Sequence, residues 1–286
     1  MKVKYILLLV LVVGFEMLGT AVYGVPKVVV TDKDKVIIQE KLDKFITKGN
    51  LSTGALLFAI GIDFAGTPYV AKTLDLRTEE SLVVNLREFD CTTFVENCLA
   101  LALTIKSGKP TYETFISTLE KIRYRNGHLT DYTSRLHYFS EWITDNADRG
   151  IVTDVTLKLG GINYPLSLNF MGTHPNFYPQ LKEAPSLITK IRIIEKQVSG
   201  KQFYFIPKEM VEGCGKDMMD GDIVALTTKI AGLDVSHLGL IHKKGNVVFL
   251  LNASSLGGKV ETTPVSFATY LKNSKNTTGI FVVRAN

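Results

Sequence analysis

Apolar residues recur at helical spacing along the first half of the chain and at a shorter period along the second. Val36, Ile37, Leu42, Phe45 and Ile46 predict a helix over 33–48, and residues 51–61 predict another. The strongest helix is 91–106, where Asp90 is a good N-cap ahead of an apolar run and "SGKP" (107–110) provides the stop. Residues 111–123 and 134–147 predict two more helices. "GTPYV" (66–70) reads as a turn with an extended exit, because proline fixes its own φ and restricts the residue before it.

Beyond residue 150 the period changes. "IVTDVTLKL", "KQFYFIP", "GDIVALTT", "DVSHLGLIH", "NVVFLLNAS" and "GIFVVRA" are short, rich in β-branched and aromatic residues, and separated by turn residues. Helices first and an antiparallel sheet afterwards predict an α+β fold. Residues 150–215 are the least regular part and are expected to decorate a single domain spanning 25–286. No internal repeat or low-complexity tract is visible.

The N-terminus stands apart. Lys2 and Lys4 precede an apolar run from Tyr5 to Phe15, and small residues follow at Gly19, Ala21 and Gly24. This is the layout of a secretory signal over 1–24, with a run shorter than the roughly 20 apolar residues of a membrane span. The mature protein is expected to be exported, monomeric and not inserted in a membrane. The net charge of +5 over 286 residues is too mild to argue for nucleic acid as a partner.

Three cysteines in an exported chain leave at least one unpaired within the molecule. Cys91 and Cys98 on one helix are separated by about 10 Å of rise, beyond disulfide reach. A Cys98–Cys214 bridge stays open, and Cys91 is the natural free thiol. As the first residue after an Asp90 cap, Cys91 meets backbone N–H groups and the positive end of the helix dipole, which favour a thiolate and could hold an oxyanion. Most unpaired cysteines are small buried hydrophobes. Cys98, among Val95, Leu99 and Leu101, fits that description better than Cys91, flanked by Asp90, Thr92 and Thr93.

A nucleophilic cysteine needs a base. His237 sits inside a strand, and "HKKGNVV" (242–248) signals a hairpin. A loop at Lys244–Gly245, or a four-residue loop over 243–246, sets His237 opposite Asn252. A loop at Gly245–Asn246 sets it opposite Ser254. Either way a small polar residue faces the imidazole, about 5 Å away between Cβ atoms. An amide at Asn252 can orient the ring as the third member of a Cys-His-Asn set. No HExxH, CxxC pair or phosphate-binding glycine loop occurs, so neither metal nor cofactor is expected.

"FDCTTFVE", "DGDIVAL", "SHLGLI" and "LLNASS", in that order, resemble the papain-like cell-wall cysteine hydrolases of NlpC type, in particular their N-acetylmuramoyl-L-alanine amidase-like branch. "GTPYVAKTL" and "SRLHYFSEWI" also resemble that branch, so the similarity runs from about Gly66 to Ser255. The resemblance implies a nucleophile helix packed on an antiparallel sheet and cleavage of an amide in peptidoglycan or a muropeptide. It places Cys91 as nucleophile, His237 as base and Asn252 third. It suggests Tyr69 near the oxyanion, and Asp90, Ser134, Arg135, Tyr138 and His174 as further substrate contacts. On a helix from Ser134, Arg135, Tyr138 and Trp142 would share a face, although an aromatic face at that spacing is more often core. Three rivals accompany this reading: cleavage of the γ-D-glutamyl link in the stem peptide, a non-catalytic peptidoglycan-binding protein, and an acyltransferase with the same triad.

Overall fold

The structure is a computed structural model that describes residues 27–75 and 77–286. The expected signal over 1–24 lies outside them. Helices α1 (Asp32–Phe45), α2 (Thr53–Asp63), α3 (Cys91–Lys106), α4 (Tyr112–Arg123) and α5 (Phe139–Asp148) occupy the first half, with a two-residue parallel pair, β1 (Val28–Val29) and β2 (Leu82–Val83). The second half holds β3 (Val152–Asp154), β4 (Ile162–Tyr164), α6 (Phe170–Thr173), α7 (Pro179–Glu183), α8 (Ser186–Ser199), β5 (Phe203–Pro207) and α9 (Val211–Cys214). It continues through β6 (Ile223–Thr228), β7 (Val235–Lys244), β8 (Val247–Ser254), β9 (Lys259–Thr262), α10 (Phe267–Asn273) and β10 (Thr277–Ala285). The fold is mixed α+β, built on an antiparallel sheet.

That sheet runs β4-β5-β10-β6-β7-β8-β9, with β3 pairing β10 beside β5. Residues 150–215 therefore contribute three strands to it as well as α6 to α9. The centre of the sheet is covered on both faces. Ile223, Ala225, Leu238, Leu240, Leu251 and Ala253 join the core that holds α2 and α3. Val224, Leu226, Ile241 and Leu250 join a second core with Phe267, Leu271 and Val211. A strand buried on both sides has no reason to alternate, which explains the continuous run "IVALTT".

Helix α3 is buried along most of its length, from Thr93 to Ile105, as expected of a helix apolar all round. Cys98 lies in the core with α3 and Cys214 in the core across the sheet. The bridge left open by the sequence does not form; all three cysteines are free.

One expected element is corrected. The helix predicted over 134–147 begins at Phe139. Residues 132–134 form a single 3₁₀ turn, and Arg135 is extended, bridged to Tyr124. Extension delivers the Arg135 guanidinium to Glu80 and Asp75, at 2.7–2.9 Å. Three charged hydrogen bonds outweigh the helical period. Arg135, Tyr138 and Trp142 consequently do not form one helical face.

Candidate active site

The lead-in to Cys91 is fixed before the helix starts. Buried Asp34 completes the capping box of α1 with Thr31, and its Oδ1 also accepts the Leu86 N–H at 2.9 Å and the Arg87 Nε–H at 3.1 Å. The chain then turns at Asp90, whose Oδ1 accepts the Thr93 N–H at 2.8 Å, while Thr93 Oγ1 accepts the Asp90 N–H at 3.0 Å. This reciprocal box satisfies two donors at a helix end that otherwise lacks partners. It makes Cys91 the first residue of α3, half-buried rather than sealed. Asp90, expected as a substrate contact, is engaged in this cap.

His237 is placed by two irregularities. The β6–β7 register shifts between Leu226 and Thr227, pairing Leu226 with His237 and Thr227 with Val235, so Ser236 is the extra residue of a bulge. Just before it, the buried Asp234 carboxylate accepts the Ser140 N–H of α5 at 2.7 Å and the Val235 N–H at 2.8 Å.

The β7–β8 hairpin turns at Gly245–Asn246, with Lys244 paired to Val247 and Gly245 at φ +61°. This is the register alternative that points His237 toward Ser254. Asn252 is nevertheless the residue that reaches the imidazole: His237 Nε2 donates to Asn252 Oδ1 at 2.8 Å. The contact is diagonal, two residues off the direct pair and on the same face. The residue directly across from Asn252 in this register is Gly239. A Cβ there would sit 3.1 Å from Asn252 Cβ and 2.6 Å from Leu250 Cδ1. The missing side chain of Gly239 gives the amide room to lean toward His237. Gly239 was not among the residues expected at the site; its signal is a glycine inside the strand "SHLGLI".

With Nε2 bound to Asn252, Nδ1 is the ring nitrogen left to face Cys91. Burial disfavours the imidazolium, but the adjacent Cys91 charge, the Cys91 hydrogen bond and the Asn252 hydrogen bond more than offset it. The His237 pKa lies above the ordinary histidine value.

Two tyrosines feel the charge of the thiol. Tyr69 lies in an extended stretch whose Val70 N–H donates to Phe89 O at 2.9 Å, and its own N–H donates to Gly258 O at 2.9 Å. Burial, then the charges of Cys91 and Asp90, push its phenol pKa up. Tyr270 on α10 was not among the expected residues; burial, then Cys91 and Glu261, push its phenol up. A cavity of about 240 Å³ opens beside the pair, walled by His237, Asn252, Leu226, Ser254, Leu256 and Tyr270, among others.

The other expected contacts lie in different settings. Ser134 Oγ donates to Asp131 O at 2.6 Å and accepts the Thr130 N–H. Arg135 is 8 % exposed and holds Glu80 through two nitrogens. The buried Tyr138 hydroxyl donates to Glu195 Oε1 at 2.7 Å and accepts the Met171 N–H. His174 is exposed and stacks on Phe170 and on Phe177, whose rings also approach each other. Among the described residues, no group of three His, Cys, Asp or Glu could hold a metal ion, and no helix is long and apolar enough to cross a membrane.

Comparison with known proteins supplies the family. The AmiA-like family model, described as N-acetylmuramoyl-L-alanine amidase-like, matches residues 59–280, and the chain belongs to that family. An N-acetylmuramoyl-L-alanine amidase structure from Bacteroides uniformis is 38% identical at a TM-score of 0.77, covering 82% of this chain and all of its own. A Bacteroides fragilis structure provisionally named a xylanase is 40% identical at a TM-score of 0.73, covering 79% of this chain and 99% of its own. A Legionella pneumophila protein at 22% identity and a TM-score of 0.63 shares the fold, covering 88% of this chain and 96% of its own. No curated protein matches the chain.

Proposed function

We propose that the protein is a cysteine amidase of papain-like, NlpC type that cleaves the bond between N-acetylmuramic acid and L-alanine in peptidoglycan fragments. The observation that carries this reading is the series Cys91–His237–Asn252 at the start of a buried helix, in a chain of an amidase-like family. The protein is exported by its N-terminal segment and works as a monomer, with a single domain over 25–286.

Cys91 Sγ attacks the lactoyl carbonyl carbon as His237 holds the thiol proton. The oxyanion is met by backbone N–H groups at the start of α3 and by the Tyr69 hydroxyl. Collapse breaks the C–N bond, and the imidazolium gives its proton to the leaving amine. Water then attacks the thioester, His237 takes a proton from it, the C–S bond breaks and the thiol is restored. Asn252 keeps the ring oriented throughout. A xylanase would instead need a pair of carboxylates flanking the glycosidic bond. Asp90, the carboxylate next to the thiol in sequence, is held in the helix cap.

The test is mass spectrometry of a defined muropeptide incubated with the mature protein and with Cys91→Ala. Free stem peptide plus peptide-free sugar, absent with the variant, is the expected result. Scission inside the peptide would replace the bond with the γ-D-glutamyl link while keeping the mechanism. No product from the wild type would overturn the catalytic reading and leave a peptidoglycan-binding protein.

A further inference from the structure

The cavity beside the imidazole includes His237 and Asn252 among its walls but not Cys91. That asymmetry has a chemical meaning. During cleavage the acyl part stays on sulfur, and the departing nitrogen must lie where the imidazole can hand it a proton. A space bordered by the base and its amide, but not by the nucleophile, lies on the departing side.

The walls say what that side accepts. Leu226, Ile230, Leu256 and Tyr270 supply apolar surface, Ser254 and Ser274 supply hydroxyls, and no Asp, Glu, Lys or Arg lines the space. An ionised side chain entering it would meet no counter-charge there. Leu256 is the unusual member. It lines the cavity yet is 92 % exposed, the most exposed large hydrophobic residue among the described residues. It projects from the turn between β8 and β9, where the Gly257 N–H donates to Ser254 Oγ at 2.8 Å and Gly258 takes φ +69°. A leucine held in water at the mouth of a polar cleft gains contact only when something apolar lies against it. Tyr270 reaches the same space from α10, a separate element.

We propose that Leu256 and Tyr270 form the subsite for the residue whose amine departs, and that they select a small apolar side chain there. This rests on the reading of Cys91 as nucleophile. It favours a departing alanine, with its apolar methyl, over a departing residue with an ionised side chain.

The reverse of amine departure is amine capture, which uses the same subsite and can be read without a muropeptide. Acyl-enzyme is formed from p-nitrophenyl acetate, with release of p-nitrophenol. Glycinamide or L-alaninamide then competes with water for the thioester. The amine nitrogen bonds to the acyl carbon, the C–S bond breaks, and the amine proton passes through His237 to Sγ. Chromatography gives the ratio of acetylated amine to acetate, which does not depend on how much acyl-enzyme forms. The wild type is expected to capture L-alaninamide over glycinamide by roughly three- to tenfold, the scale of one methyl contact. Leu256→Ser and Tyr270→Ala should each reduce that preference below about twofold. Leu256→Ser removes a surface side chain, so this arm does not depend on a buried substitution being tolerated. Equal capture by the wild type, or an undiminished preference in Leu256→Ser, would overturn the subsite. Absence of any p-nitrophenol burst from the wild type would instead overturn the nucleophile, and the subsite with it.

Discussion

Two clusters of polar side chains lie close to α3, and they differ in how completely their bonds are used. At the start of the helix, the half-buried Cys91 faces His237, and Asn252 holds the far side of the ring. Deeper in, Arg123 bonds Glu96 at 2.6 Å and the Val83 carbonyl, while Arg135 bonds Glu80 and Asp75. Tyr124 donates to the same Glu80 carboxylate at 2.7 Å. The second cluster is richer in charge and richer in bonds. Its cations already have anions, so a substrate carboxylate would have to displace one. The first cluster keeps a thiol and a ring nitrogen turned toward each other beside open space. Availability, more than polarity, separates a candidate site from internal scaffolding.

The largest test of this contrast is Cys91→Ala. It should lower amide cleavage by at least about a thousandfold, as loss of a nucleophile does, while the thermal midpoint stays near that of the wild type. A variant that retains cleavage would dissolve the distinction from the reactive side. Arg135→Ala attacks the other cluster. Stranding Glu80 and Asp75 without their cation should cost about 3–5 kcal/mol of stability, read as a lower urea midpoint, with activity falling only as the fraction folded falls. A stable, folded Arg135→Ala with a raised KM would return Arg135 to the substrate.

Within the reactive cluster, Asn252→Ala should lower kcat roughly tenfold to a hundredfold, less than the factor that a base itself supplies. The Asn252 hydrogen bond is one cause of the raised His237 pKa. Removing it lowers that pKa, so the alkaline limb of kcat/KM should move to lower pH. Gly239→Ala should shift the limb in the same direction by crowding Asn252, and should also lower the urea midpoint, because its Cβ would sit 2.7 Å from the Leu251 carbonyl oxygen. An unchanged pH profile in both variants would mean that the amide does not orient the ring.

Substituting His137 should leave activity untouched and alter only the pH dependence of stability. Its Nε2 donates to Tyr132 O at 2.8 Å, and burial, with Arg135 close by, pushes its pKa down to about 3. The unfolded chain takes up this proton below about pH 6.5, the ordinary histidine value, whereas the native state refuses it until about 3. Stability from this group is therefore present above about pH 6.5 and is lost as pH falls toward the folded value. His137→Gln should flatten the slope of the urea midpoint between pH 6 and 4. A slope unaltered by the substitution would exclude His137 as its source.

Much of this was legible in the chain. Asp90 before an apolar run announces α3 and sets Cys91 at its first turn. The six strand-like segments all contain observed strands, although "IVTDVTLKL" holds only the three residues of β3. What the sequence concealed is mostly long-range. The stretch 134–138 has a helical period, but its conformation follows from partners some 55–60 positions away. Register also resists reading: Gly245–Asn246 and Lys244–Gly245 are equally good turns on paper, and the diagonal reach of Asn252 depends on which one forms. Helix α8 was overlooked although Leu187, Ile191, Ile194 and Val198 keep its period, because the irregular segments around it masked the pattern.

The placement of the three sulfurs has a consequence for how the molecule would age. Cys98 and Cys214 lie sealed behind opposite faces of the sheet, and burial raises both thiol pKa values, keeping them protonated and slow to react. Peroxide would find Cys91 first, and a sulfenic acid formed there could be reversed by added thiol, whereas a sulfinic acid could not. With no disulfide holding the chain together, a reductant threatens nothing in the fold. On the proposed mechanism, exposure to oxidant would thus silence the molecule at one atom while its melting curve stayed the same.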